Sequence, residues 1–148
     1  MGDLRKGQTH MLPISFVEAA SRHLRDAYLL FEAGRHDNSL YLAGYVVECS
    51  LKAVAGWTGL SPERYGHQLV KLEGDGLDLA MVIAPAAARY RPPAASVRAV
   101  SSSWSPDRRY LADGVSVQLA GSIISEAETI WRSCVGEMFL DGLIQELP

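Results

Sequence analysis

Two tyrosines, a carboxylate and an amine recur at helical spacing within an otherwise apolar stretch of the chain. They are Tyr41, Tyr45, Glu48 and Lys52. Residues three or four positions apart share one face of an α-helix, so a helix here presents all four side chains together. The acid precedes the amine, which is the favourable order for an ion pair. The pattern predicts either a polar groove that binds a ligand or a surface ion pair worth about 0.3–0.5 kcal/mol.

His67 is a second candidate site residue, because a histidine can act as a catalytic base. It follows Gly66 and precedes a short apolar pattern in which Leu69 and Leu72 have helical spacing. No residue near it in the sequence would orient the ring. His67 is therefore interpreted either as part of the N-terminal cap of a third helix or as a ligand-binding residue.

Arginines alternate with aromatic residues in the second half of the chain. A guanidinium group binds phosphate through two parallel hydrogen bonds, and an aromatic face stacks on an unpaired base. The pattern therefore predicts binding of single-stranded RNA or of a nucleotide. The alternative is that the arginines pair with the acidic last helix while the aromatic residues hold the segment to the rest of the domain. The residues are Arg89, Tyr90, Arg91, Arg98, Trp104, Arg108, Arg109 and Tyr110.

The composition is that of one globular domain, since 148 residues fall within the usual domain size of roughly 100–200. A net charge of −3 argues against binding to nucleic acid through overall charge. No apolar run reaches the roughly 18 residues of a membrane-spanning helix, and the N-terminal residues lack the apolar core of a signal peptide. We therefore expect a cytoplasmic protein that makes no membrane contact.

Metal and cofactor sites have no support in the sequence. The four histidines and two cysteines do not have the spacing of metal ligands, and no glycine-rich phosphate loop is present. Cys49 and Cys134 each lie among apolar residues of predicted helices, which is typical of buried free thiols. We expect neither a metal ion nor a cofactor.

Helical periodicity accounts for most of the chain, and no strand pattern is found. Ser15 and Glu18 have the spacing of a capping box, which opens a first helix that Gly34 can end. A second helix is predicted over about 37–57. The short link between these two helices requires them to lie antiparallel.

A weaker third helix is predicted over 67–84 and a last helix over about 116–143. Between them, residues 85–114 contain several prolines and three consecutive serines, which predicts an irregular basic loop. Residues 1–13 are expected to form a flexible N-terminal arm. The fold prediction is a single all-α domain over 14–148, an up-and-down bundle of four main helices.

The last predicted helix carries two apolar stripes. Ala120, Ile123, Ala127 and Ile130 form one, and Val117, Ile124, Trp131 and Met138 form the other. Together they are wider than the single stripe of a surface helix. This width predicts that the helix contacts a second subunit as well as its own bundle, and therefore a homodimer.

The helical hairpin over 26–52, with its string from Ala43 to Ala53, resembles the HEPN family of small all-α domains. HEPN-like proteins have a similar Glu-x-x-x-Lys element on the second helix, a His-x-Leu-like segment at the start of the third, and an Arg-Tyr segment before the last. In this chain those elements match Glu48–Lys52, the segment after His67, and Arg108–Tyr110. The resemblance implies a helical bundle linked to nucleotides, RNA or a nucleotidyltransferase partner.

Ribonucleases of the HEPN family carry Arg-x(4–6)-His near the start of a late helix. In this chain no histidine follows His67. One literal match, Arg5 with His10, lies before the first predicted helix and is interpreted as a chance occurrence. The usual ribonuclease pair is therefore not expected to act here, and the sequence favours a protein that is not an enzyme.

The leading hypothesis is a non-catalytic HEPN-like module that binds RNA, a nucleotide or a protein. Its partner would be a minimal nucleotidyltransferase in a toxin–antitoxin or defence pair. One alternative is a metal-independent ribonuclease with a non-standard active site, and another is a dimeric scaffold without a ligand. The ligand-binding residues are predicted to be Tyr41, Tyr45, Glu48, Lys52, His67, Trp104, Arg108, Arg109 and Tyr110, with Glu48 orienting one of the two arginines.

Overall fold

The computed structural model of the chain describes residues 14–144, and all regular structure in that range is helical. Helix α1 spans Phe16–Glu32 and helix α2 spans His36–Trp57. The hydroxyl of Ser15 accepts a hydrogen bond from the backbone N–H of Glu18, as the capping-box spacing predicts. Gly34 has a φ of +76°, a left-handed conformation that glycine adopts without steric cost, and it allows the tight turn into α2.

The remaining helices surround α2. Helices α3 and α4 are joined by a π-helical turn over Leu72–Gly76, and helices α6 and α7 by another over Arg132–Gly136. The chain is therefore continuously helical over 69–83 and over 117–140. The all-α prediction is confirmed. The bounds are Leu69–Lys71 for α3, Leu77–Ile83 for α4, Ala94–Ser101 for α5, Val117–Trp131 for α6 and Glu137–Leu140 for α7.

Residues 85–114 are largely helical, so the prediction of an irregular loop there is wrong. Two 3-10 helices, Pro85–Tyr90 and Pro106–Tyr110, lie on either side of α5. Each of the two begins with its proline at the first helical position, where the missing N–H has no cost and the fixed φ favours the turn. The prolines that suggest broken structure in the sequence thus begin short helices.

Helix α2 is the centre of the core. It packs mainly against α1 and α6 and also against α4 and α5. All residues from Val46 to Ala55 are buried, so the helix has no solvent-exposed face over that stretch. The amphipathic pattern expected of a surface helix is absent for this reason, and any polar side chain in the stretch must find its partner within the protein.

The two apolar stripes of the last helix are covered largely by the same chain. Ile124 and Met138 are 2% and 3% exposed, and the indole N–H of Trp131 donates a hydrogen bond of 3.1 Å to the hydroxyl of Ser21. Only Val117, in the first turn of α6, is widely exposed. Because α1, α2 and α5 all pack on α6, its wide apolar face does not require a second subunit. The argument for a dimer from these stripes is therefore wrong.

No helix within residues 14–144 is both long enough and apolar enough to cross a bilayer. The predicted arm over 1–13, with Arg5 and His10, lies outside the described residues.

Candidate functional site

Glu48 is a buried carboxylate with two partners. Its side-chain oxygen Oε1 lies 3.5 Å from Nζ of Lys52 and 2.5 Å from Nδ1 of His67. Glu48 and Lys52 are 4% and 8% exposed, so the interpretation of this pair as an ordinary surface ion pair is wrong. A charge at this depth is tolerated because it is paired and hydrogen-bonded.

His67 lies at the edge of the same cluster, with a side chain that is 53% exposed. Its Nδ1 is held by Glu48, and Nε2 has no hydrogen-bond partner among the described residues. A carboxylate only accepts hydrogen bonds, so Nδ1 carries the hydrogen that joins the two groups. The orienting partner that is missing from the local sequence is therefore Glu48, one helix earlier in the chain. The result is an imidazole of fixed orientation whose second nitrogen is available to a ligand.

Tyr45 is the aromatic centre of this surface. Its ring makes edge-to-face contacts with Tyr41, His67 and Trp104, at centroid distances of 5.2, 6.0 and 5.1 Å. The Tyr41 hydroxyl donates a hydrogen bond of 3.4 Å to the Tyr45 hydroxyl. Burial, and then the hydrogen bond from Tyr41, raise the pKa of Tyr45 to about 12. The Tyr45 phenol is therefore neutral at physiological pH and acts as a hydrogen-bonding group.

Trp104 is an anchor and not an exposed stacking surface, because it is only 6% exposed. Its indole N–H donates a hydrogen bond of 2.9 Å to the backbone carbonyl of Tyr41, and its ring lies on Gly44. The tryptophan attaches the segment that precedes the 3-10 helix Pro106–Tyr110 to α2. This position explains how a segment distant in sequence comes to lie beside the tyrosines.

Arg109 extends from that 3-10 helix toward the tyrosine end of the face. Its guanidinium lies 4.8 Å from the ring centroid of Tyr110, a distance typical of a cation–π contact. The phenols of Tyr110 and Tyr41 beside it raise the pKa of the Arg109 side chain. Arg109 is exposed and permanently charged, and the Tyr110 ring is 76% exposed. Both are therefore accessible to a ligand.

Arg108 and Glu48 do not meet, and the prediction that Glu48 orients Arg108 or Arg109 is wrong. Arg108 donates from Nε to the backbone carbonyl of Ser103. The Glu48 carboxylate is already bound by Lys52 and His67 on the buried side of the face. Arg109 and Glu48 belong to opposite ends of this surface, since Tyr41 and Glu48 are separated by about 10 Å along the helix axis.

Two other arginines of the basic segment, Arg89 and Arg91, form ion pairs within the protein. Arg89 pairs with Asp141 and Glu137 at the end of the last helical segment, as the intramolecular alternative predicts. Arg91 binds Glu73 and Asp78, which lie on the π-helical turn and on α4. These two arginines stabilise the tertiary structure, and Arg109 is the one directed toward the tyrosines.

We use the name α2 groove for the surface formed by Tyr41, Tyr45, His67 and Arg109, together with the buried Glu48–Lys52 pair that adjoins His67. At its histidine end the groove adjoins an open depression of about 580 Å³. The depression is lined by residues of α3, of the π-helical turn and of α5, and among them Lys71 and Asp75 are charged. A ligand longer than one nucleotide would therefore have room beyond His67.

The described part of the chain contains neither a cluster of metal-ligating side chains nor a reactive thiol. No group of three histidine, cysteine, aspartate or glutamate residues within 14–144 is arranged to hold a metal ion. Cys49 and Cys134 are free and buried. Burial raises the pKa of the Cys49 thiol to about 11 and that of Cys134 further still, so neither supplies a thiolate nucleophile at neutral pH.

The fold and the site together define a small all-helical domain whose central helix carries a row of polar and aromatic side chains. The family model of the HEPN domain matches residues 15–138, so the chain belongs to the HEPN family. No curated protein and no solved structure matches the chain.

Proposed function

We propose that this chain is a HEPN domain that binds single-stranded RNA or a nucleotide through the α2 groove, with binding and not cleavage as its role. The observation that carries the proposal is the alignment of three kinds of group along one helix. Arg109 supplies a cation at one end, Tyr41 and Tyr45 supply hydroxyls in the middle, and His67 supplies an oriented imidazole at the other end. Guanidinium and imidazolium groups bind phosphate oxygens. The exposed Tyr110 ring adds a surface on which a base can stack.

A salt-dependent binding titration tests this proposal. The probe is a fluorescent-labelled uridine oligonucleotide of about eight residues, titrated with wild-type protein and with Arg109→Ala at several salt concentrations. Loss of a bidentate charged contact should weaken binding about tenfold. It should also reduce the slope of log K against log salt by about 0.7, the value for one phosphate contact on a single strand.

Arg132→Ala is the matched control for Arg109→Ala. Arg132 is a surface arginine on the last helical segment, where it pairs with Glu128. Both variants lose one positive charge, but only Arg109 lies in the α2 groove. Equal losses of affinity in the two variants would show that overall charge, and not the groove, attracts the oligonucleotide. Absence of binding by the wild type would favour the scaffold alternative.

Two partners are part of the same proposal. A minimal nucleotidyltransferase, in a toxin–antitoxin or defence pair, is proposed from family membership alone and is tested by co-purification with the product of the neighbouring gene. A homodimer is proposed on the same ground, together with the 74% exposure of Leu140 at the end of α7. Light scattering that gives a mass near 16.1 kDa at micromolar concentration would contradict the dimer.

A metal-independent ribonuclease is the second candidate, and the His67–Glu48 pair is the observation that favours it. An imidazole oriented by a carboxylate can accept the proton of a ribose 2′-hydroxyl. Cleavage of the oligonucleotide in EDTA by the wild type, but not by His67→Ala, would establish this function. Intact oligonucleotide after prolonged incubation at high protein concentration would exclude it.

A further inference from the structure

We propose that the α2 groove takes up a proton at His67 when it binds a phosphate group, so that phosphate is bound by the imidazolium form. The inference rests on the proposed function, since it assigns one phosphate of the bound oligonucleotide to Nε2 of His67.

The hydrogen bond to Glu48 decides what the exposed nitrogen of His67 can bind. Nδ1 keeps its hydrogen in both charge states of the ring, because the carboxylate at 2.5 Å only accepts. In the neutral ring Nε2 is therefore a lone-pair acceptor, which binds a hydroxyl or an amide N–H and repels a phosphate oxygen. In the imidazolium ring Nε2 is a charged donor, which binds a phosphate oxygen. The two charge states thus select opposite ligand groups at the same atom.

The charge balance of the cluster couples protonation to binding. Lys52 lies 3.5 Å from Glu48 and already compensates the buried carboxylate. A proton on His67 therefore leaves the free cluster with one excess positive charge. A bound phosphate removes this excess, because the imidazolium then lies between two anions, the Glu48 carboxylate and the ligand. By linkage, a ligand that prefers the protonated ring promotes proton uptake, and protonation strengthens binding by the same factor.

The other charged and titratable groups around the groove do not provide this response. The charged side chains there are Lys52, Lys71, Arg109, Glu48 and Asp75, and residues of these types ordinarily titrate outside the range from pH 6 to 8. The phenols of Tyr41 and Tyr45 lie within the groove, and burial together with their hydrogen bond raises the pKa of Tyr45 to about 12. The remaining group is His23 on α1, whose ring centroid is 5.9 Å from that of Tyr45. Burial, and then the neighbouring Arg22, lower the pKa of His23, so it is less protonated in this range than an ordinary histidine.

Calorimetric titration with the uridine oligonucleotide, prepared without a terminal phosphate, measures the effect directly. Its diester phosphates do not titrate between pH 6 and 8, so any proton taken up enters the protein. Binding enthalpies are measured at a single pH near 7 in buffers of different ionisation enthalpy, and the slope gives the number of protons taken up. We expect a positive uptake of up to one proton. Affinity should decrease as the pH rises from 6 to 8, by at most tenfold per pH unit.

Two matched histidine variants locate the proton. His67→Gln keeps a side chain that can donate or accept at the same place, and we expect it to bind without proton uptake and with an affinity independent of pH. His23→Gln should retain both the uptake and the pH dependence. Glu48→Gln removes the carboxylate that stabilises the imidazolium and should reduce the uptake. Circular dichroism confirms that each variant is folded, and His67→Gln, at a half-exposed position, provides the decisive comparison if Glu48→Gln unfolds.

The outcomes separate the inference from the proposed function. Oligonucleotide binding with no proton uptake would overturn the inference and leave the proposed function intact. Uptake that persists in His67→Gln and disappears in His23→Gln would also overturn it, because the proton would then belong to the other histidine. Absence of binding at every pH would overturn both.

Discussion

The indole ring of Trp104 occupies the space that a β-carbon on residue 44 would fill. The tryptophan ring therefore packs directly on the backbone of Gly44. Its indole N–H holds it there by a hydrogen bond to the Tyr41 carbonyl. Trp104 attaches the segment that carries Arg109 to α2. The absence of a side chain at Gly44 therefore determines where the Arg109 guanidinium lies in the α2 groove.

Gly44→Ala should displace Trp104 and destabilise the fold. A methyl group at this position overlaps the indole ring, and overpacking of a well-packed core costs about 1–3 kcal/mol. Gly56→Ala is the control, because Gly56 lies in the same helix with no atom near its would-be β-carbon and should be neutral or stabilised by about 0.5–1 kcal/mol. Urea unfolding measures both changes. Equal stabilities of the two variants would show that Trp104 does not depend on Gly44.

Replacing Lys52 alone should destabilise the protein more than replacing Glu48 and Lys52 together. Lys52→Met leaves Glu48 as a buried carboxylate with only His67 as its partner, and the loss of one member of a buried pair costs about 3–5 kcal/mol. The double variant Glu48→Gln with Lys52→Met contains no unpaired buried charge, so it should be more stable than Lys52→Met. Denaturant midpoints of the wild type, the single variants and the double variant give the coupling. Additive losses would mean that the pair is not coupled in the folded protein.

The helical hairpin and the polar face of α2 could be predicted from the sequence because both depend on local spacing. Tyr41, Tyr45, Glu48 and Lys52 share a helix face at any degree of burial. The spacing of these residues gives no information about how deeply that face is buried. Glu48 and Lys52 are buried because the apolar residues on the other faces of α2 draw α1, α4, α5 and α6 around it.

The partner of His67 could not be predicted, because it depends on where the chain returns after α2. The path from Trp57 through the 3-10 helix Pro62–Tyr65 brings the imidazole back to Glu48, and no periodicity in the sequence records that path. The contact between Trp104 and Gly44 could not be predicted either, since the two residues come together only through tertiary packing. A glycine within a buried helical run was the one available signal, as such a glycine often marks a close approach.

The two cysteines should be unreactive while the protein is folded. Burial raises the pKa of Cys49 to about 11, and the Cys134 thiol, which is also buried, is shifted in the same direction. The thiolate is the reactive form, so neither residue should react with a thiol reagent at pH 7.4 within the time that unfolded protein reacts completely. Absorbance of the released thiol product, with and without urea, measures this. Rapid labelling of one equivalent in native buffer would contradict the burial of Cys49.

The hydrogen bond from Tyr28 to Glu128 should make stability depend on pH at both ends of the scale. Hydrogen bonds from Tyr28 and then from Arg132 lower the pKa of Glu128 below its ordinary value of 4.5. A carboxyl group with a lowered pKa contributes stability above its ordinary value, and that contribution is lost as the pH falls through its pKa in the folded state. The advantage of the wild type over Tyr28→Phe should therefore decrease on acidification below about pH 4.5.

At alkaline pH the stabilisation that Tyr28 provides decreases as the pH rises, whereas the contribution of Glu128 decreases as the pH falls. Burial, and then the hydrogen bond to Glu128, raise the pKa of Tyr28 from 10.0 to about 12. A phenol with a raised pKa stabilises the fold fully below its ordinary value and progressively less as the pH rises from 10 to 12. Thermal unfolding of the wild type and of Tyr28→Phe from pH 3 to 11 should give a difference near neutral pH of about 1 kcal/mol, narrowing at both extremes. A difference that is constant over this range would mean that the two side chains are not hydrogen-bonded in the folded protein.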